Sequence, residues 1–170
     1  MNILYVLRHA KSNGDDSGMT DHDRPLAPRG RRATTRLADH VRRSRIQPDL
    51  VLCSSARRAC ETLERIHAAL GAKHVVVEKK LYGASAAELL VRLRRVEDDV
   101  RSVLVVGHNP GLQDLVVTIA GDGDDDALLR VRRTFPTGAL ATLSFPAQGW
   151  NRLGPRSAHL ETLVVPRDLE

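Results

Sequence analysis

Cysteine and aromatic residues are scarce in this sequence. Its two cysteines, Cys53 and Cys60, lack the Cys-x-x-Cys spacing and cannot form a disulfide framework, a usage typical of proteins from a reducing compartment. Aromatic residues amount to 3% of the chain, whereas proteins that bind single-stranded nucleic acid need aromatic stacking platforms among their cations. Although the net charge is +5, we therefore expect a cytoplasmic protein with no nucleic-acid partner.

Hydrophobic runs long enough to cross a membrane are absent as well. The longest apolar segments, 102–107 and 115–120, fall far short of the roughly 20 residues that a membrane-spanning helix needs. The first apolar run meets Arg8 and His9 at once, without the basic region and cleavage site of a signal peptide. With 42% hydrophobic residues, the 170-residue chain is expected to form one domain, 1–170, with no membrane partner.

What the sequence does contain is an alternation of short apolar runs and amphipathic segments. The apolar runs predict strands, and the segments with a helical period predict helices. The predicted strands are 3–7, 49–53, 74–78, 102–107, 139–145 and 161–165. The predicted helices are 29–43, a helix capped by Ser54 or Ser55 that ends at 70, 86–96 capped by Ser85, and 110–120. This order predicts an α/β fold, a three-layer α/β/α sandwich with a mainly parallel sheet of about six strands.

Polar and charged side chains follow three of the predicted strands directly. Residues 8–12 (Arg-His-Ala-Lys-Ser) follow the first strand, residues 53–62 follow the second, and residues 107–111 (Gly-His-Asn-Pro-Gly) follow the fourth. In open α/β sheets, ligand sites form at the carboxyl ends of the strands. We therefore expect two histidines and several arginines to converge at one edge of the sheet.

This combination of residue types is typical of a phosphate site that contains a nucleophile. Imidazole has a reference pKa near 6.5, so a neutral ring nitrogen is available at pH 7 to accept a phosphoryl group covalently. The guanidinium group of arginine matches phosphate with two parallel hydrogen bonds and neutralises the charge that spreads over the phosphoryl oxygens. A helix that begins at Pro110 would add its N-terminal dipole near the same place.

The same segments resemble the histidine phosphatase superfamily, which is named for an Arg-His-Gly signature and includes phosphoglycerate mutase-like enzymes. The similarity is greatest to the small SixA-type phosphohistidine phosphatases and runs in collinear order from residue 3 to about residue 120. The segments that carry it are Arg8-His9-Ala10-Lys11-Ser12, Asp23-Arg24-Pro25-Leu26 with Arg29-Gly30, Arg58-Ala59-Cys60-Glu61-Thr62, Leu81-Tyr82-Gly83-Ala84-Ser85 and Gly107-His108-Asn109-Pro110-Gly111. Ala10 stands where the signature has glycine.

The resemblance implies a role for four residues. His9 matches the nucleophile that becomes phosphohistidine, Arg8 and Arg58 match the two phosphate-binding arginines, and His108 matches the second histidine, which hydrogen-bonds the phosphoryl oxygens. Ser12 and Asn109, each close to one of the histidines, are candidate substrate-binding residues. The resemblance implies a phosphatase that needs neither a metal nor another cofactor.

One departure from the larger family members bears on the substrate. Those members carry a glutamate in an insertion after the third strand, which protonates an alcohol leaving group; here that segment is only 78–83, and no residue can be assigned as the acid. A phosphorylated imidazole leaves more readily, because its ring nitrogen accepts a proton near neutral pH. We therefore expect a phosphohistidine on a signalling protein, such as a phosphotransfer domain, as the substrate. A small phosphorylated metabolite and a non-catalytic phosphate-binding module stay as alternatives.

Other sites that the sequence suggests fail on spacing. A cysteine phosphatase needs an arginine six positions after its cysteine, where Ala59 stands, so Cys53 is expected in the core and Cys60 on a buried helix face. The acidic stretch 121–126 lacks the glycine and glutamate of a calcium loop and is expected to be a solvated loop. Arg57 is expected to be a solvated helix residue, and His22 is a candidate for the entrance of the site.

Overall fold

A computed structural model describes residues 1–14 and 18–170 of the chain, so residues 15–17 of the predicted 13–25 loop lie outside the described residues. This part of the chain forms seven β-strands and five α-helices. The strands are β1 (Asn2–Arg8), β2 (Leu50–Ser54), β3 (His74–Glu78), β4 (Ser102–Gly107), β5 (Ala120–Gly123), β6 (Leu140–Phe145) and β7 (Ala158–Val164). The helices are α1 (Pro28–Arg43), α2 (Arg57–Leu70), α3 (Ala86–Arg94), α4 (Gly111–Ile119) and α5 (Asp125–Arg133).

All seven strands belong to one sheet, in the order β3-β2-β4-β1-β6-β7-β5. The neighbours β3, β2, β4 and β1 pair in parallel, whereas β6 runs antiparallel to both β1 and β7. This arrangement confirms the predicted α/β class and the mainly parallel sheet. The sheet has seven strands where about six were predicted, because β5 is an additional short strand.

Helices cover both faces of the sheet, which makes the three layers. Along β4, Val103 and Val105 face a core that includes residues of α3, α4 and α5, whereas Leu104 and Val106 face a second core with α1 and α2. Successive side chains of a strand point to opposite faces, so a strand in the middle of the sandwich is apolar throughout. This is why the central strands could be predicted as continuous apolar runs.

The acidic side chains of 121–126 are exposed to solvent as predicted, but the prediction that this segment is a loop is wrong. Residues 120–123 form the edge strand β5, which pairs in parallel with β7, and the Oδ1 of Asp124 accepts a hydrogen bond from the Ala127 amide as the N-cap of α5. Gly123 lies so close to β7 that a Cβ would stand 2.4 Å from the Leu160 carbonyl oxygen. The strand β5 contains few apolar side chains because it is held against β7 by its backbone and not by a hydrophobic face.

The ends of α1, α3 and α4 agree with the predictions to within two residues, whereas α5 was not predicted. Ser85 caps α3 with a capping box, and Gly71 ends α2 in the left-handed conformation at φ 57°. The cap predicted at Ser54 or Ser55 is wrong, because Ala56 is the N-cap of α2. No helix in residues 1–14 and 18–170 is both long and apolar enough to cross a bilayer.

Two glycines allow the backbone to pass close to the segments of the predicted site. A Cβ on Gly30, in the first turn of α1, would stand 2.1 Å from the carbonyl oxygen of Lys11. A Cβ on Gly111, the first residue of α4, would stand 2.1 Å from the carbonyl oxygen of Ala84. Any side chain at either position would push a helix away from a loop at the site edge of the sheet.

Candidate active site

The carboxyl ends of β1, β2 and β4 lie side by side, because β2, β4 and β1 are parallel neighbours in the sheet. His9 follows β1 directly, and its backbone amide donates a hydrogen bond to the carbonyl of Gly107 at 3.1 Å, which anchors it to the end of β4. His108 follows β4, and its ring centroid lies 5.1 Å from that of His9. The two predicted histidines are therefore brought together.

The ring of His9 is held in one orientation and one tautomer. Its Nδ1 lies 2.7 Å from the carbonyl oxygen of Ala10, which can only accept, so Nδ1 carries the hydrogen and Nε2 carries the lone pair. His9 is only 6% exposed. Burial, with smaller contributions from the positive charges of His108 and Arg58, lowers the pKa of His9 to about 3. At neutral pH the Nε2 atom is thus unprotonated, and its lone pair could attack an electrophile.

Two arginines lie beside this nitrogen. Arg58, itself 6% exposed, donates from Nε to the His9 Nε2 at 3.2 Å and from Nη1 to the carbonyl oxygen of Asp21 at 2.8 Å. Arg8 donates from Nη1 to the Phe135 carbonyl at 3.1 Å. Burial and the charge of Arg58 lower the pKa of Arg8. The guanidinium groups of buried Arg58 and half-buried Arg8 repel each other, and an anion between them would relieve that repulsion.

The second histidine is oriented by the end of β2. The Nε2 of His108 lies 2.7 Å from the hydroxyl oxygen of Ser54, which is fully buried. The Nδ1 of His108 is buried and has no hydrogen-bond partner among the residues that the structure describes. Burial and the charge of Arg58 lower the pKa of His108 to about 4, so this ring is neutral at pH 7 as well.

A rim of residues that sequence reasoning missed borders this centre. The Tyr82 hydroxyl donates to Oδ2 of Asp21, which also accepts from Nη2 of Arg58 at 3.1 Å. The Tyr82 hydrogen bond and the Arg58 charge lower the pKa of Asp21 to about 2, and the bond to Asp21 raises the pKa of Tyr82. The Tyr82 ring lies edge-on to His108 at 5.5 Å and to His22 at 5.0 Å between centroids.

Of the residues that sequence reasoning missed, Ser54 had a usable signal, whereas Asp21 and Tyr82 had little. Ser54 stands at a strand end, where the rule that found His9 and His108 would also have selected it. Tyr82 belongs to a motif of the resemblance, but nothing in its spacing predicts a partner in the 18–24 segment. Asp21 has no periodic context at all, since the short 3-10 turn Asp21–Asp23 lies in an otherwise irregular segment.

A cavity of about 350 Å³ opens onto the two histidines and two arginines, and its wall includes Lys11, Ser12, Arg24 and Asn109. Ser12 forms an isolated β-bridge with Leu26 beside the cavity. The side chain of Asn109 holds its own surroundings, because Nδ2 donates to the Phe135 carbonyl at 3.0 Å and Oδ1 accepts from the Gln113 amide at 3.2 Å. Both candidate substrate-binding residues are thus at the cavity, and Asn109 also supports its wall.

The remaining sequence candidates lie outside the centre. Arg57 is exposed and donates to Glu61 at 2.9 Å on the same helix, as expected of a solvated residue. His22 contacts Ser55 and the Tyr82 ring at the rim, close to the predicted entrance position. Cys53 is fully buried, and burial raises its pKa, which makes its thiol a poor nucleophile. Cys60 is half-buried rather than buried.

Comparison with known proteins identifies the family. A model of the histidine phosphatase superfamily (branch 1) matches residues 4–83. The solved structure of SixA from Nakamurella multipartitia is 30% identical and superimposes with a TM-score of 0.81, covering 97% of this chain and 96% of that chain. The chain belongs to the histidine phosphatase superfamily. It is a SixA-type member, since SixA from Agrobacterium tumefaciens matches it with 29% identity and a TM-score of 0.80, over 97% of this chain and 98% of that chain.

Other relatives of this histidine phosphatase extend the comparison. An uncharacterized protein from Mycobacterium tuberculosis strain H37Rv is 39% identical over 163 residues, which are 95% of this chain and 100% of the relative. A structure of the protein histidine phosphatase SixA complexed with tungstate is 21% identical and shares the fold, with a TM-score of 0.78 over 99% of each chain. Family membership and these neighbours support phosphatase activity for this chain.

Proposed function

We propose that this protein hydrolyses N-phosphohistidine on a protein substrate by way of a phosphohistidine at His9. The observation that carries the proposal is the geometry of His9, whose Nδ1–H is bound to the Ala10 carbonyl while its Nε2 lone pair faces Arg58. A fixed tautomer, a pKa of about 3 and an adjacent cation give a neutral nitrogen nucleophile beside a group that binds phosphate.

The first half of the reaction forms a bond from His9 Nε2 to phosphorus and breaks the bond from phosphorus to the substrate nitrogen. Arg8 and Arg58 hold the phosphoryl oxygens, and His108, whose ring centroid lies 5.1 Å from that of His9, is the second neutral ring. The departing imidazole takes a proton from solvent. In the second half, water attacks phosphorus, the bond to His9 breaks, and inorganic phosphate leaves with His9 neutral again.

The carboxylate that contacts Arg58, Asp21, supports phosphohistidine rather than an alkyl phosphate as the substrate. Asp21 has a pKa of about 2, and its oxygens accept hydrogen bonds from Tyr82, Arg24 and Arg58. At neutral pH it therefore holds no proton for an alkoxide leaving group. A phosphoester would lose general acid catalysis that is typically worth about 10²–10⁴-fold, whereas a ring nitrogen can be protonated from water near neutral pH.

A substrate panel tests this proposal. Phosphohistidine, phosphoserine, phosphotyrosine and a sugar phosphate are assayed with a chelator present, and we expect phosphohistidine to exceed the alkyl phosphates in kcat/KM by about a hundredfold or more. Comparable rates for all of them would favour a metabolite phosphatase, and activity that depends on added metal would contradict the mechanism.

The His9→Ala variant separates an enzyme from a binding module. We expect it to lose turnover and to retain affinity for tungstate, because Arg8, Arg58 and His108 stay in place. Arg58→Gln should lose both, whereas Arg57→Gln, the exposed neighbour, is the matched control and should keep both. A native protein that binds phosphohistidine without hydrolysing it would show that the non-catalytic alternative is correct.

A further inference from the structure

A second groove of about 480 Å³ continues the phosphate cavity along the outer side of α1. It lies between the first half of α1, the segment 134–137 that precedes β6, and the C-terminal turn Pro166–Leu169. Lys11 and Thr137 line both the phosphate cavity and this groove, so the two spaces share a wall. A substrate whose phosphoryl group lies at His9 can therefore extend directly into the groove.

The shared wall is tied to the reacting residues by hydrogen bonds. The amide of Gly138 donates to the carbonyl oxygens of Arg8 and His9, both at 3.0 Å. The carbonyl of Phe135, at the other end of the same segment, accepts from the Arg8 guanidinium at 3.1 Å. A ligand that rests on this segment would thus be held at a set distance from the nucleophile.

The groove carries positive charge that the described residues do not neutralise. Lys11, Arg29 and Arg167 are exposed, and none of them lies within 4.0 Å of a carboxylate in residues 1–14 and 18–170. The acid next to the groove, Asp168, is paired with Arg130 at 2.9 Å on the α5 side and accepts from the Val165 amide. Unpaired cations around a concave surface attract an anionic partner.

The floor of the groove is apolar and its cations are spread along it. Val165, Pro166 and Ala33 supply carbon surface between the charged groups. The three cations come from three separate segments, the loop after β1, the first turn of α1 and the C-terminal turn. Such a surface suits an extended peptide with acidic side chains better than a single compact phosphate, which needs donors that converge on one point.

We propose that this groove binds an acidic stretch of the substrate protein next to its phosphorylated histidine. The inference rests on the proposed function in that the phosphorylated residue occupies the His9 cavity while the flanking chain lies in the groove. Lys11 lies at the junction, and Arg29 and Arg167 contact the acidic side chains. The groove thereby selects among phosphorylated proteins by charge, and it contributes to KM rather than to the chemical step.

The test uses two peptides that carry one phosphohistidine, flanked in one by glutamates and in the other by glutamines. Free phosphohistidine serves as the short substrate. In the Arg29→Glu/Arg167→Glu variant, KM for the glutamate peptide should rise roughly tenfold or more with kcat unchanged, whereas both constants for free phosphohistidine stay as in the native protein. Glutamate at position 29 lies in the first turn of α1, where the helix dipole favours it, so folding should be retained.

The control variant is Arg101→Glu/Arg152→Glu, which makes the same change in charge. Arg101 precedes β4 and so lies at the opposite end of the strand from His108, and Arg152 lies in the turn whose Trp150 donates to the Val100 carbonyl. This variant should leave KM for both peptides unchanged. An equal rise of KM in both variants would show that only net charge matters and would overturn the proposal.

A binding measurement separates failure of the groove from failure of the proposed function. Fluorescence anisotropy of the labelled glutamate and glutamine peptides, without phosphate, reports the groove even if no peptide is hydrolysed. Tighter binding of the glutamate peptide that is lost in Arg29→Glu/Arg167→Glu supports the groove. Equal binding of both peptides overturns it. The proposal also fails if Arg29→Glu/Arg167→Glu raises KM for O-phosphoserine as much as it raises KM for the glutamate peptide, because the cations would then bind a small anionic substrate.

Discussion

The Nε–H of Arg58 donates to Nε2 of His9 at 3.2 Å, so the cation that would bind the phosphoryl group also contacts the proposed nucleophile. The Nε2 lone pair of His9 therefore points at the Arg58 guanidinium, and both side chains line the same cavity. In the proposed mechanism, attack on phosphorus would replace this hydrogen bond by the new bond to phosphorus, and the guanidinium would then face a phosphoryl oxygen instead. In the proposed mechanism, the position of Arg58 would therefore affect both the orientation of His9 and the binding of the phosphoryl group.

We expect Asp21 to act on catalysis by holding Arg58. Asp21→Ala removes the carboxylate contact to Nη2, and kcat/KM should fall about tenfold, as for the loss of one charged hydrogen bond. Asp21→Asn keeps an acceptor oxygen and should restore most of the activity. Steady-state kinetics on phosphohistidine measure the effect. The control is Asp23→Ala, which removes an exposed acid of the same turn. If kcat/KM fell equally in that variant, the effect would come from disturbing the turn and not from the contact between Asp21 and Arg58.

Ser54 is expected to position His108. Ser54→Ala removes the hydroxyl 2.7 Å from Nε2 and leaves a buried nitrogen without its partner, which should reduce the free energy of unfolding by about 1–3 kcal/mol. Because the ring of His108 is then free to turn, kcat/KM should fall about tenfold or more. Urea unfolding and steady-state kinetics measure the two effects. Ser55→Ala, whose hydroxyl contacts His22 instead, should leave kcat unchanged. A Ser54→Ala enzyme with native kinetics would contradict this role.

Buried His9 and half-buried His108 should make the fold sensitive to acid. Their pKa values are about 3 for His9 and about 4 for His108, against an ordinary value near 6.5 in an unfolded chain. Above pH 6.5 both histidines are neutral in the folded and in the unfolded chain, so their titration does not change the free energy of unfolding. Between pH 6.5 and about 4 the unfolded chain binds protons that the folded protein does not. As the pH is lowered through this range, the free energy of unfolding therefore decreases by up to about 1.4 kcal/mol per pH unit for each histidine.

Urea unfolding at pH 7, 6 and 5 measures this dependence. The His9→Asn/His108→Asn variant lacks both titrating groups and should lose less stability over the same range. Parallel loss in the native protein and in the variant would mean that other groups control the acid sensitivity.

Much of the fold could be predicted because its central strands are buried on both faces. Leu4, Val6, Val103 and Leu104 are nearly inaccessible to solvent, and continuous apolar runs of this kind have few other interpretations. The edge strand β5 could not be predicted in the same way. Its residues are stabilised by backbone pairing with β7, and its composition of glycine and aspartate is that of a loop.

The candidate site divides along a similar line. Arg8, His9 and His108 could be placed together because parallel strands end at one edge, and Arg58 because its helix follows β2. The partners Asp21 and Tyr82 could not, since the contact between them joins positions 61 residues apart through side chains of an irregular segment and a short turn. Local patterns carry no information about such contacts.

The sequence by itself determined the class of fold, the family and the four residues proposed to carry the chemistry, because strand-end rules and collinear motifs are local properties of the chain. Only the tertiary structure decided which nitrogen of His9 carries the lone pair, which partners hold Arg58 and His108, and that a basic groove adjoins the cavity. These features depend on distances between residues remote in sequence, and those distances are set when the two cores pack on the sheet.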